Sequence, residues 1–178
     1  MAIGTQYNAV SRYLHWFSAI TVVGMFAAGL WMVDLSYYSE WYRTAPHWHK
    51  SVGILLICTT VVRFIWNKVA KTPEIDGSQI IKLAAHLGHL ALYGVVLVIG
   101  VSGYLISTED GRGIEVFDWF TVPGLGQLFE GQADLAGQVH FYAAWTLIIL
   151  AGMHALAAMK HHVIDKDDTL RKMIGASK

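Results

Sequence analysis

Apolar residues dominate four long stretches of this chain, and polar positions fall between the stretches instead of alternating within them. Tyr13 to Val33 contains no Lys, Arg, Asp or Glu, and the same holds for Leu83 to Ser107 and Leu135 to Met159. His47 to Trp66 is apolar apart from Lys50 near its start and Arg63 near its end. A hydrocarbon core of about 30 Å is crossed by about 20 helical residues, and every run reaches that length. Helix is the expected form, because an open strand in lipid leaves its backbone polar groups unpaired. The pattern predicts transmembrane helices over about 13–33, 47–67, 83–107 and 135–162, joined by an outer loop over 108–134.

The predicted fold is therefore an all-α membrane protein, a four-helix bundle forming a single domain over 1–178. Composition agrees: 54% of the 178 residues are hydrophobic and only 15% charged, where a soluble domain carries about a quarter. Net charge is zero, so no basic footprint for nucleic acid exists. Cys58 is the sole cysteine, which rules out an internal disulfide and a C-x-x-C-H attachment site for covalent haem. The first residues lack a compact basic start, so a cleaved signal peptide is not expected.

Charge sets the orientation. With four spans, the N-terminal tail, the link from Asn67 to Lys82 and the C-terminal tail share one side. That side holds ten of the 13 basic residues, Lys71 and Lys178 among them. The other side holds Arg43, Lys50 and Arg112 with eight carboxylates. Basic residues favour the cytoplasm, so both termini are expected inside. On the outer side, Ile114 to Leu125 mixes large apolar residues with acids and breaks at Pro123-Gly124. An interfacial amphipathic turn over the mouth of the bundle is expected there.

Nine histidines are many for such a chain, and intramembrane ionisable residues point to function. His140 and His154 are 14 residues apart, about 40° short of four full turns, so they share a helix face. They lie about 21 Å apart along the axis, one towards each membrane face. His15 falls at the inner end of the first helix; His47 and His49 fall at the outer end of the second. Two residues apart on a helix, His47 and His49 point in nearly opposite directions, and spacing does not choose between them. An inner pair, His15 with His154, and an outer pair with His140 are thus available at matching depths. Paired axial imidazoles from facing helices are what a b-type haem requires, and they leave no open position for oxygen. A zinc site would want three or four clustered ligands, commonly with carboxylate or thiolate, and the spacing offers none. A transporter using the histidines as stepping sites is the competing class, and it would carry no pigment.

The motifs Arg12-Tyr13-Leu14-His15-Trp16, Trp48-His49-Lys50-Ser51-Val52-Gly53, Val62-Arg63, Ala85-His86-Leu87-Gly88-His89-Leu90 and Gly152-Met153-His154, followed by His161-His162, resemble the small bacterial cytochrome b561 proteins. The resemblance runs along nearly the whole chain. It implies a multi-pass protein of the bacterial inner membrane with two haem b groups, their irons held by His15, His154, His49 and His140; it thereby selects His49 over His47. It further implies a quinone site on the cytoplasmic side, with His161 as a quinone contact and proton-exchanging residue and ubiquinone as acceptor. His161 is seven residues past His154, so it lies within about 20° of the same face and about 10 Å further inward.

His86 and His89 share one side of the third helix, where they could meet haem propionates or the quinone. Arg12 and Arg63 at the same level are suited to pairing with propionates, or to snorkelling to lipid phosphate. The expected activity is that of an oxidoreductase resembling the superoxide:ubiquinone oxidoreductases of the family, passing electrons from a periplasmic donor, superoxide included, to quinone. The alternative is an electron-transfer subunit of a larger complex such as a hydrogenase or dehydrogenase. Expected partners are the lipid bilayer, quinone and the periplasmic donor, with a homodimer left open.

Overall fold

A computed structural model describes residues 6–70, 72–75 and 77–175. Lys71 and Lys178, counted above on the inner side, lie outside the described residues.

Four long helices carry the apolar runs: α1 (Ala9–Val33), α2 (Thr44–Val69), α3 (Gln79–Thr108) and α4 (Gln132–Lys160). Each begins a few residues before its apolar run, and at α1, α3 and α4 a side chain takes up a free N–H of the first turn. Asn8 accepts the Ser11 N–H at 2.8 Å at the head of α1, and Ser78 accepts from Ile81 at the head of α3. Such caps replace missing intrahelical partners. A left-handed Gly131 precedes α4, whose Ala133 N–H is taken up by Glu109 at 3.2 Å. The chain leaves α4 through a π-helical turn, His161–Asp165, and ends in a short helix α5 (Thr169–Ile174).

All four long helices are long and apolar enough to cross a membrane. Large apolar side chains such as Phe17, Ile20, Leu97, Ile149 and Leu156 face outward, the reverse of a soluble core and the arrangement lipid solvates. Hydroxyls within the spans bond back to their own helix. Ser18 donates to the Leu14 carbonyl, Thr59 to Leu55, Thr60 to Leu56 and Thr146 to Tyr142, each at 2.7–2.8 Å, which removes the penalty of an unpaired donor in an apolar medium. The protein is a multi-pass helical bundle of four candidate membrane spans.

The bundle is two antiparallel hairpins. Helices α1 and α2 pack closely, α3 and α4 more closely still, whereas α1 meets α4 and α2 meets α3 along thin seams. The 34–43 link, the α3–α4 connection and the outer helix ends lie together at one end. At the other end, Tyr7 N–H reaches the Lys172 carbonyl at 3.2 Å, Trp16 Nε1 reaches the Met173 carbonyl at 3.3 Å and Lys172 Nζ reaches the Glu74 carbonyl at 3.0 Å. The N-terminal segment, the α2–α3 link and α5 thus lock together.

The outer loop differs from the amphipathic turn expected. It folds as a β-hairpin, β1 (Ile114–Val116) against β2 (Phe120–Val122), with Val116 opposite Phe120. Ile114 and Val116 are buried because the strand period of two sends them to one face, while Glu115 between them stays exposed. Phe117 and Asp118 take left-handed φ angles of 46° and 61° to close the tip, a conformation that is costly for a bulky residue. Fully buried Ser51 holds this tip to α2: its hydroxyl donates to the Glu115 carbonyl at 3.2 Å and accepts the Phe117 N–H at 3.1 Å. Gln132, also fully buried, ties down the rest of the loop, donating to the Leu105 carbonyl at 2.9 Å and accepting the Leu128 N–H at 2.8 Å.

Candidate functional site

Two layers of histidine lie between the helix hairpins. In one, His15 of α1 and His154 of α4 have ring centres 6.3 Å apart with planes inclined by 63°. In the other, His49 of α2 and His140 of α4 repeat the arrangement at 6.3 Å and 65°. Two imidazoles bound to opposite sides of one metal ion, with bonds of about 2.0 Å and about 1.1 Å from nitrogen to ring centre, have centres about 6.2 Å apart. Both pairs have that separation although they are built from different helices.

Neighbours of the outer pair orient its rings. His140 Nδ1 stands 3.0 Å from the Ile99 carbonyl and 3.3 Å from Ser102 Oγ, both on α3. Donation from Nδ1 to that carbonyl fixes the tautomer and leaves the Nε2 lone pair free, the usual outer arrangement around a metal-bound imidazole. Glycines make room for the rings. A Cβ at Gly103 would stand 3.1 Å from His140 Cε1, and one at Gly29 would stand 3.5 Å from His49 Cε1. Beside His49 lies a cavity of about 350 Å³ between α1 and α2, walled by Trp31, Trp41, Trp48, Met25 and Met32. Its apolar wall suits the body of a macrocycle. His47 turns away from the layer, towards the Phe117 ring at 6.3 Å.

The inner layer draws on all four helices. His89 of α3 lies 5.3 Å from the His154 ring. Arg63 of α2 donates to His15 Nδ1 at 2.7 Å and stands 5.6 Å from the Tyr93 ring centre; that contact leaves the neutral ring's proton on Nε2, so the guanidinium has to release Nδ1 for His15 to offer its Nε2 lone pair to an iron. A half-buried guanidinium inside a membrane span calls for an anionic or acceptor partner.

Other residues singled out in the sequence stand apart from this layer. The His86 imidazole turns back to its own helix, 2.7 Å from the Lys82 carbonyl. The Arg12 guanidinium lies over Gly175 beyond α5. His161 sits in the π-helical turn, its Nδ1 2.9 Å from Asp165 Oδ2 and 3.0 Å from Asp167 Oδ2.

Sequence reasoning did not find Ser102, Gly103, Gly29, Asp165 or Asp167. For the first three the only signal was small residues inside apolar runs. For the two carboxylates it was their closeness in sequence to His161, which helical periodicity would have used for Asp165 alone.

On the outer surface, Arg112 is paired with Asp110 through Nε at 2.7 Å. The hydrogen bonds from Arg112 hold the Asp110 carboxyl below the usual carboxylate range. Lys50, one residue past His49, is only partly exposed.

A membrane-spanning helix bundle with two internal imidazole pairs defines a class, the intramembrane b-type cytochromes. The comparisons with known proteins narrow it. Residues 6–176 match the model of the family described as prokaryotic cytochrome b561. The chain is 52% identical to cytochrome b561 homolog 2 of Escherichia coli over 97% of its own length and 93% of that protein's. It is 26% identical to the probable superoxide oxidase CybB of Yersinia pestis, covering 95% and 96% of the two chains. Cytochrome b561 homolog 1 of Escherichia coli is also 26% identical, over 95% and 97%. The chain belongs to the prokaryotic cytochrome b561 family; it is a transmembrane b-type cytochrome acting in electron transfer.

Proposed function

We propose that this protein carries electrons across the inner membrane from a periplasmic donor to membrane quinone, using two haem b groups in one membrane domain. His15 with His154 would hold the inner haem and His49 with His140 the outer one. The observation that carries this reading is the repeated 6.3 Å spacing of two imidazole pairs on three helices, with α4 shared by both. Bound haem would supply reversible one-electron chemistry, and each imidazole pair would hold an iron and reserve it for that role.

The chain's own residues do the rest. The Ile99 carbonyl orients His140. Arg63 and His89, placed on the inner pair, offer donors to acidic groups of an inner macrocycle. The Trp-rich wall beside His49 offers an apolar surface to the body of the outer macrocycle. His161, in the π-helical turn that follows α4 and seven residues past His154, is read as the quinone contact: its imidazole hydrogen-bonds a quinone oxygen and transfers a proton to it. Reduction of one quinone then takes two electrons, delivered one at a time, and two protons from the aqueous side nearby. The end where the N-terminal segment, the α2–α3 link and α5 meet carries the basic excess, which supports its placement in the cytoplasm.

A visible spectrum of the purified protein tests the first part. Reduction should give a sharp cytochrome b band with two haems per chain; one haem or none refutes the dihaem reading, and none also returns the transporter class.

Superoxide as the donor is the second reading, favoured by Lys50 beside His49 and by the name of the 26% identical relative. A cation next to the outer layer attracts a small anion, but the neighbouring Arg112 is already paired with Asp110. Mixing the protein with a superoxide source and ubiquinone decides it. No acceleration over a haem-free control would leave a protein or other carrier as donor, as in a subunit of a larger respiratory complex.

A further inference from the structure

An α-helix continued past Lys160 would place Asp165 beside His161, one turn on, and Asp167 round on the far side. The chain does not continue that way. It widens into a π-helical turn over His161–Asp165, a form that recurs at functional positions. Lys166 then adopts a left-handed φ of 57°, which costs about 1 kcal/mol or more for a residue with a Cβ. The chain folds back, and the Asp167 N–H bonds to the His161 carbonyl at 3.1 Å. The result is a second carboxylate on the imidazole. Asp165 Oδ2 and Asp167 Oδ2 lie 2.9 and 3.0 Å from Nδ1.

Neither oxygen lies in line with the ring N–H, and Nδ1 is shielded from solvent with no directed hydrogen bond among the described residues. The Nδ1 edge of the ring therefore lies between two carboxylates. Each carboxylate is itself anchored. Lys160 Nζ reaches both oxygens of Asp165 at 3.0 and 2.7 Å, and the Thr169 N–H reaches Asp167 Oδ1 at 2.9 Å.

We infer that Asp165 and Asp167 are positioning residues for quinone protonation, clamping the Nδ1 edge of His161 so that its Nε2 edge faces the quinone. The inference rests on the reading of His161 as the quinone contact. In the step itself the Nε2–H bond of the imidazolium breaks and an O–H bond forms on the quinone oxygen. The two carboxylates balance the ring's charge beforehand and keep its remaining proton on Nδ1 afterwards, and water from the cytoplasm restores the proton at Nε2. The two electrons come from the reduced cytochrome, which is oxidised as quinone becomes quinol.

The experiment uses the full-length haem-loaded protein, chemically reduced beforehand, mixed rapidly with short-chain ubiquinone while haem oxidation is followed optically. Asp165→Asn and Asp167→Asn should each lower the maximal reoxidation rate on the order of tenfold, a part of the roughly hundred- to ten-thousandfold that general acid catalysis supplies. Half-saturating quinone and the haem spectrum should be unchanged, and the solvent deuterium isotope effect should increase. Asp167→Glu should recover part of the rate. His161→Gln should slow reoxidation at least as far. If His161→Gln is slow but both Asn variants match the parent in rate and isotope effect, the positioning role is overturned while the quinone contact stands. If His161→Gln also matches the parent, both fall. An Asn variant that loses haem absorbance or only raises half-saturation marks a structural role and likewise overturns the proposal.

Discussion

Gly103→Ala separates the imidazole-pair geometry from helix stability, because the two effects have opposite signs. In a helix interior, alanine is favoured over glycine by about 0.8–1.0 kcal/mol, so α3 by itself gains. The added Cβ, however, would stand 3.1 Å from His140 Cε1 and 3.3 Å from its Nδ1. Carbon atoms pack best at about 3.5–4.0 Å, so the ring must retreat from α3 by about 0.4 Å or more. The Ile99 carbonyl that holds Nδ1 at 3.0 Å is on α3 as well, and retreat stretches that bond past the useful range of about 2.7–3.2 Å. Losing one such hydrogen bond costs about 0.5–1.5 kcal/mol, equivalent to a two- to tenfold weaker hold on the outer haem.

The assay is haem-to-protein stoichiometry through detergent washing, with low-temperature difference spectra to resolve the two haems. The outer component should wash out faster while the inner one keeps its band and intensity. Equal retention of both in Gly103→Ala and in the larger Gly103→Val would refute the placement of His140 as an outer ligand held by α3.

Three further outcomes are expected. His140→Ala should lower haem content from two per chain to one by removing the outer haem, and His154→Ala should do so by removing the inner; unaltered absorbance in either would sink the layered pairing. Ser51→Ala should cost about 1–3 kcal/mol, because the Glu115 carbonyl and Phe117 N–H lose their shared partner; protease sensitivity of the hairpin reads the loss, and an unchanged cleavage rate would count against the latch. For Asp167, burial raises the carboxyl's pKa, but hydrogen bonds from Thr169 and the electrostatic influence of the nearby His161 imidazole outweigh it and hold the value below the ordinary one. A folded-state pKa below the unfolded one contributes stability that is present above the ordinary carboxylate range and lost as pH falls through the lowered value. Hydrogen-exchange protection in α5, corrected for the intrinsic pH dependence of exchange, should therefore fall on acidification, and Asp167→Asn should remove part of that pH dependence.

The spans were legible because lipid imposes one rule on every position: apolar outward, with backbone bonds closed within the helix. Histidine depth was legible for the same reason, since a 14-residue interval on α4 is a geometric quantity. The choice between His47 and His49 was not, because two helix positions two apart differ only in what each meets, and Phe117 comes from a loop 70 residues on from His47. The loop's amphipathic character was legible in Ile114, Glu115 and Val116, but its hairpin form was not. Its hairpin depends on Ser51, a pairing across the fold that no local pattern carries. Asp167 lay beyond periodic reasoning because it reaches His161 only after the π-helical turn and a left-handed Lys166.

One member of each imidazole pair hangs from α4, whereas their mates come from two different helices. The interval between the layers is consequently a property of a single covalent rod, about 21 Å measured along its axis. A thicker or thinner bilayer can tilt that rod or reshape the lipid around it, yet it leaves the spacing untouched. Any tunnelling rate that depends steeply on this gap is thus insulated from changes in lipid composition, while the mates on α1 and α2 remain free to adjust the fit at each station.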